Sequence, residues 1–117
     1  MKRLEDVEKE KFIYLTTKGR KSGKPHTVEL WFAVAGGKVY LSHEGDRTDW
    51  MKNIVGHGPV SIRIDGVTSG GDARIAEGDA REAGKKALYK KYYGRASDDV
   101  IDDWFSLSTV VEVTPDI

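Results

Sequence analysis

Between residues 16 and 25 the chain reads Thr16-Thr17-Lys18-Gly19-Arg20-Lys21-Ser22-Gly23-Lys24-Pro25, which places four cationic side chains and two glycines in one short link. That combination suits an anion. Lys18, Arg20, Lys21 and Lys24 supply charge, Ser22 supplies a hydroxyl donor, and Gly19 and Gly23 let backbone N–H groups approach phosphate oxygens that a Cβ would keep away. The stretch is not a Walker A loop, which needs four residues between its glycines and a Ser or Thr after its lysine. Here three residues separate the glycines and Pro25 follows Lys24. A solvated basic turn without a ligand fits the same residues, since Gly and Lys are ordinary turn residues.

Other chemistry is sparse. His26, His43 and His57 fall at a strand start, a strand end and a Gly-His-Gly loop, with no metal-ligand spacing among them, so no metal site is expected. Asp98-Asp99 and Asp102-Asp103 flank an apolar helical stripe and read as its solvated side. The chain has no cysteine, which removes disulfides, thiolate nucleophiles and Cys-ligated zinc and fits a reducing compartment such as the cytoplasm. Nineteen basic residues balance nineteen acidic ones, so an anion site must come from local clustering. A nucleic-acid partner is disfavoured, because no aromatic platforms interleave with the basic loop. No stretch has signal-peptide character or the length of a membrane span.

The elements around the loop follow from periodicity. Arg3 to Lys11 reads as a short helix, and Phe12 to Thr17, dense in aromatic and β-branched residues, as a first strand. His26 to Ala35 alternates as one long strand, and Gly36-Gly37 folds Lys38 to His43 back on it, with Val34 facing Val39, Phe32 facing Leu41 and Trp31 facing Ser42. Trp31 and Tyr40 then share the face away from the core and need a cover: a helix, a ligand or a second subunit, as in a homodimer. Thr48 caps a helix from Asp49 to Val55 whose Trp50 anchors the core. Val60 to Ile64 and a strand from Val67 flank the turn signal Asp65-Gly66, and Ser69-Gly70-Gly71 reads as a bulge or wide loop before pairing resumes through Asp72 to Glu77. A long helix runs from Ala80 to Tyr93 with Asp79 as cap, a short one opens at Ser97, and Ser106 to Thr114 forms the last strand. With 117 residues, no repeat and no linker, the expectation is one α+β domain over residues 1–117, with about six antiparallel strands and two or three helices.

Residues 15–25, followed by Val28-Glu29-Leu30-Trp31-Phe32 and by Asp49-Trp50-Met51-Lys52-Asn53-Ile54, resemble the deazaflavin-dependent nitroreductase and quinone-reductase family. The likeness holds in order and spacing to about Ile64. It implies a split β-barrel of the FMN-binding type, related to the flavin-binding oxidases of pyridoxamine phosphate, and hydride transfer from a reduced deazaflavin, coenzyme F-420, to a quinone-like, nitro-aromatic or other conjugated small-molecule acceptor. The cofactor performs the hard step, so no catalytic triad is required. Carried onto this chain, the resemblance gives Lys18, Gly19, Arg20, Lys21, Ser22 and Gly23 to the cofactor phosphate. Trp50 and Asn53 would support the wall beside the ring. Tyr92 and Tyr93 are the candidate proton donors, against core packing for the first and solvent for the second. Relatives are often homodimers. This sequence departs from the pattern at His26, where relatives often carry an arginine, and along Ser42-His43-Glu44-Gly45-Asp46-Arg47, where their segment is smaller and glycine-rich. FMN therefore stays open as the cofactor of a reductase or oxidase on the same fold. So does a carrier that binds a flavin, haem or small amphiphile without turnover.

Overall fold

A computed structural model describes residues 7, 9–19, 22–44, 49–56, 58–93 and 108–116. Seven strands form one antiparallel sheet: β1 (Ile13–Lys18), β2 (Pro25–Leu30), β3 (Ala33–Ala35), β4 (Lys38–Glu44), β5 (Pro59–Ile64), β6 (Val67–Ile75) and β7 (Ser108–Pro115). Their order across the sheet is β2-β1-β5-β6-β7-β4-β3. Helix α1 (Asp49–Gly56) follows β4, and α2 (Gly78–Tyr93) follows β6. Most of the expected helix over 3–11, and all of the short helix from Ser97, lie outside the described residues.

The expected long strand is two strands. β2 pairs with β1 and β3 with β4, so residues 25–35 cross from one edge of the sheet to the other within a two-residue link. This curls the sheet into a half-barrel. The hairpin register survives only at its tip, with Ala33 opposite Tyr40 and Val34 opposite Val39. The pairing with β3 ends at Ala33, while the opposite edge of β4 pairs with β7 from Val39 opposite Val113 to Glu44 opposite Ser108.

Leaving one partner strand before joining the next frees the backbone of Phe32, whose side chain is fully buried. Tyr92 of α2 fills the gap. Its hydroxyl accepts a hydrogen bond from Phe32 N–H (3.0 Å), and its proton is shared between Phe32 C=O (2.9 Å) and Lys11 C=O (2.8 Å). Its ring stacks on Trp31 with centroids 4.2 Å apart and planes 9° from parallel. Unpaired buried backbone groups are costly, so this hydroxyl closes the half-barrel.

The glycines of β6 have a different cause from the one expected. Val67–Ile75 is one continuous strand, paired on both sides, with no wide loop at Ser69-Gly70-Gly71. A Cβ on Gly71 would lie 2.8 Å from Thr114 C=O, so glycine is required for close packing of backbones. Two-residue turns do form at Gly36-Gly37 and at Asp65-Gly66, all four residues having positive φ, 57° and 76° in the first and 46° and 80° in the second.

The two faces of the sheet carry separate clusters. Inside the curl, Ile13, Leu15, Phe32, Val39, Leu41, Ile62, Ile64, Val111 and Val113 pack with Trp50, Met51 and Ile54 of α1. Outside, Ala33, Tyr40 and Val110 lie beneath α2 with Leu88. Tyr40 is therefore covered by a helix of its own chain and gives no evidence for a second subunit, whereas Trp31 keeps 40% of its surface exposed. α2 reaches Tyr40 because residue 84 is glycine: a Cβ there would be 2.7 Å from both Tyr40 Cδ1 and Val110 Cγ1. Beside this contact Tyr40 donates to Glu112 (3.0 Å), whose other oxygen accepts from Arg74 (3.0 Å). Burial first, and then this carboxylate, raise the Tyr40 pKa.

Candidate functional site: a basic hairpin loop and its cleft

The basic loop joins β1 to β2, whose register runs from Ile13 opposite Leu30 to Lys18 opposite Pro25. Three of its amides are turned inward. Gly19 N–H donates to Lys24 C=O (2.8 Å), Gly23 N–H to Gly19 C=O (2.9 Å) and Lys24 N–H to Ser22 Oγ (3.2 Å). The loop is thus a closed turn, and Gly23 takes a positive φ of 70° to make it. Those three amides serve the turn itself. Arg20 and Lys21 lie outside the described residues.

Gly19 is the crowded point. A Cβ on it would lie 2.8 Å from Ser22 Oγ and 2.9 Å from His26 Nε2, so glycine is what lets the imidazole and the hydroxyl close in over the loop. His26 stands opposite Thr17 in the ladder, and its ring reaches the loop rather than standing away from it. Ser22 Oγ accepts from Lys24 N–H, a bond that does not use the hydroxyl's own proton. Lys18 is exposed and its stem lies along Gly23, 3.7 Å from that residue's ideal Cβ position.

A cleft of about 350 Å³ opens beside this loop, lined by Thr16, Thr17, Lys18 and Gly23 on one side and by Pro59, Val60 and Ser61 on the other. The second wall exists because β5 pairs with β1, with Thr16 opposite Ser61 and Leu15 opposite Ile62. No local feature of the sequence marks residues 59–61, since a pairing between distant strands has no local signature. Asn53, buried in α1, donates from Nδ2 to Thr17 Oγ1 (3.2 Å) and so ties the helix to the strand two residues before Gly19. Trp50 lies in the barrel core, 5% exposed, on the same helix as Asn53.

The two tyrosines fare differently. Tyr92 is committed to backbone groups of Phe32 and Lys11, and burial raises its pKa against the lowering effect of the Phe32 hydrogen bond. The side chain of Tyr93 lies outside the described atoms. No group of three or more His, Cys, Asp or Glu that could hold a metal ion occurs among the described residues. No helix among them is long and apolar enough to cross a membrane.

Residues 2–101 match the family model described as F-420H(2)-dependent quinone reductase. The chain belongs to that family. It is an oxidoreductase family whose electron donor is the reduced deazaflavin F-420. No curated protein sequence matches the chain. Solved structures share the fold of this family member. An F-420-H2 dependent reductase, 23% identical, superposes with a TM-score of 0.68 over 88% of this chain and 93% of its own. A protein assigned as a pyridoxamine 5′-phosphate oxidase from Listeria innocua, 16% identical, gives 0.65 over 95% and 88%. A structure titled as a domain-swapped dimer, 23% identical, gives 0.72 over 88% and 79%. The architecture is the split barrel of the FMN-binding type, with seven strands where about six were expected.

The site suits a phosphate-bearing cofactor. Lys18 and Gly23 bound one end of the cleft, and the imidazole of His26 and the hydroxyl of Ser22 meet at the neighbouring Gly19, which puts charge and donors for an anion beside it. Threonine and proline surfaces extend from it along the sheet toward β5.

Proposed function

We propose that this chain transfers a hydride from reduced F-420 to a quinone-like, nitro-aromatic or other conjugated acceptor, with the cofactor phosphate held by Lys18, Ser22, His26 and the adjoining Arg20 and Lys21. The convergence of Ser22 and His26 on Gly19, next to Lys18 which lines the cleft along β1 and β5, is the observation that supports this reading most. F-420 supplies the hydride. The protein's part is to hold the donor carbon about 3–3.5 Å from the acceptor and to keep water from the reaction path. Asn53 and Thr17 fix the wall on which the cofactor lies. Tyr92 has its proton engaged by two carbonyls, so the proton that completes reduction of a quinone to a quinol comes from solvent or from Tyr93. Purified protein should bleach reduced F-420 in the presence of menadione, with one equivalent consumed per quinone reduced. Binding without bleaching would reduce the protein to a carrier.

His26 stands where relatives often have arginine, so a substitution here tests whether this position reaches the phosphate. A guanidinium offers a permanent charge and a planar pair of donors that an imidazole does not. His26→Arg should tighten F-420 binding severalfold. Equal affinity of the two proteins in a fluorescence titration would sink the role. We infer further that the protein works as a homodimer in the cytoplasm. The half-exposed Trp31 and a neighbouring fold that forms a domain-swapped dimer support the first, and sedimentation at about twice 13.0 kDa checks it. The absence of cysteine supports the second.

A further inference from the structure

A second and larger cavity, about 640 Å³, opens between β3 and α2 and shares no residue with the cleft beside the basic loop. Its size falls among sites that bury a small organic molecule. The floor is apolar and shallow-sided because the facing residues are small: Ala33 and Ala35 on the strand, Ala83 and Ala87 on the helix. The rim is cationic. Lys86 and Lys90 follow the alanines at helical spacing and are exposed, Lys9 faces them from the N-terminal segment, and Lys91 turns inward with Nζ 3.5 Å above the centre of the Phe32 ring. No carboxylate among the described residues lines the cavity.

Three exposed ammonium groups around one apolar depression, those of Lys9, Lys86 and Lys90, in a chain whose opposite charges are equal in number, are a strong local imbalance. We propose that this cavity binds a small organic anion with an apolar body, a carboxylate or sulfonate on an aliphatic or aromatic stem. The stem would lie on the alanine floor, and the acidic head would sit among lysines whose own methylenes line the rim. Inorganic phosphate would use the charges but leave the floor unfilled. A neutral amphiphile would do the reverse. The proposal is independent of the reading of the cofactor cleft.

The test uses the full chain and two fluorescent probes of matched shape, 8-anilinonaphthalene-1-sulfonate and the uncharged N-phenyl-1-naphthylamine. The sulfonate should bind one per chain, at least tenfold more tightly than the neutral probe, and should weaken as salt is raised. Lys86→Glu with Lys90→Glu, at exposed positions, should weaken sulfonate binding at least tenfold and leave the neutral probe unchanged. Ala83→Leu with Ala87→Leu keeps every charge and fills the floor, and should weaken both probes. Arg20→Ala with Lys21→Ala should leave sulfonate affinity as it was, which separates this cavity from the cofactor site. Sulfonate affinity unchanged in the charge-reversed protein, or equal affinity for the two probes, would overturn the proposal.

Discussion

Replacing Arg20 and Lys21 together by alanine is expected to weaken F-420 binding at least tenfold, measured by fluorescence titration of the folded protein. The reason is the closed geometry of the loop. With the amides of Gly19, Gly23 and Lys24 spent on the turn's own acceptors, an anion at this loop draws a large share of its hold from side chains. A hydrogen bond to a charged partner contributes about 1.5–3 kcal/mol, so the loss of two exceeds one power of ten even after solvent screening. The turn itself should persist, because its internal bonds use backbone atoms and Ser22. Unchanged affinity would move the phosphate off this loop altogether.

The second large effect is expected at Tyr92. Tyr92→Phe keeps the ring that stacks on Trp31 and removes only the oxygen that serves Phe32 N–H, Phe32 C=O and Lys11 C=O. Leaving such groups unsatisfied costs about 1–3 kcal/mol, which in a domain of this size lowers the melting temperature by roughly 5–15 °C. The alkaline limb carries a second readout. Burial raises the Tyr92 pKa in the folded state, so the folded chain holds this proton more tightly than the unfolded one. The resulting stabilisation is complete below the ordinary tyrosine value of about 10 and is lost as the pH climbs through the raised one. Thermal melts between pH 8 and pH 11 should therefore fall less steeply for Tyr92→Phe. A variant as stable as the parent would show that the hydroxyl is not what closes the half-barrel.

Much of this architecture could be read from residue patterns, and the failures share a physical cause. The turns at Gly36-Gly37 and Asp65-Gly66 were legible because they depend on the conformational range of the residues in them. Helix α1 was legible from Trp50, Met51 and Ile54 on one side. The split between β2 and β3 was not, because Val28, Leu30, Phe32 and Val34 alternate without interruption while the partner strand changes. Alternation reports which face is buried and is silent about which neighbour supplies the hydrogen bonds. Gly70-Gly71 misled for a related reason: small residues that break a strand and small residues that let another backbone come close look alike in sequence. At the site, the charged loop stood out by composition, and Asn53 followed from the family resemblance. The wall from β5 and the committed state of Tyr92 both depend on contacts between distant segments.

The position of β7 bears on how the chain reaches this state as it is made. β7 lies between β6 and β4, and its ladder with β4 joins residues roughly 70 apart in sequence, such as Leu41 and Val111. The β1–β2 and β5–β6 hairpins need only local closure and can assemble while synthesis is under way. The middle of the sheet cannot, since the ribosome must first deliver residues 108–115. Until then β4 and β6 each present an unpaired side to solvent, a template for any passing strand. Insertion of this one segment both completes the core and removes two adhesive edges at once, so the interval before it arrives is when the nascent protein most needs protection from its neighbours.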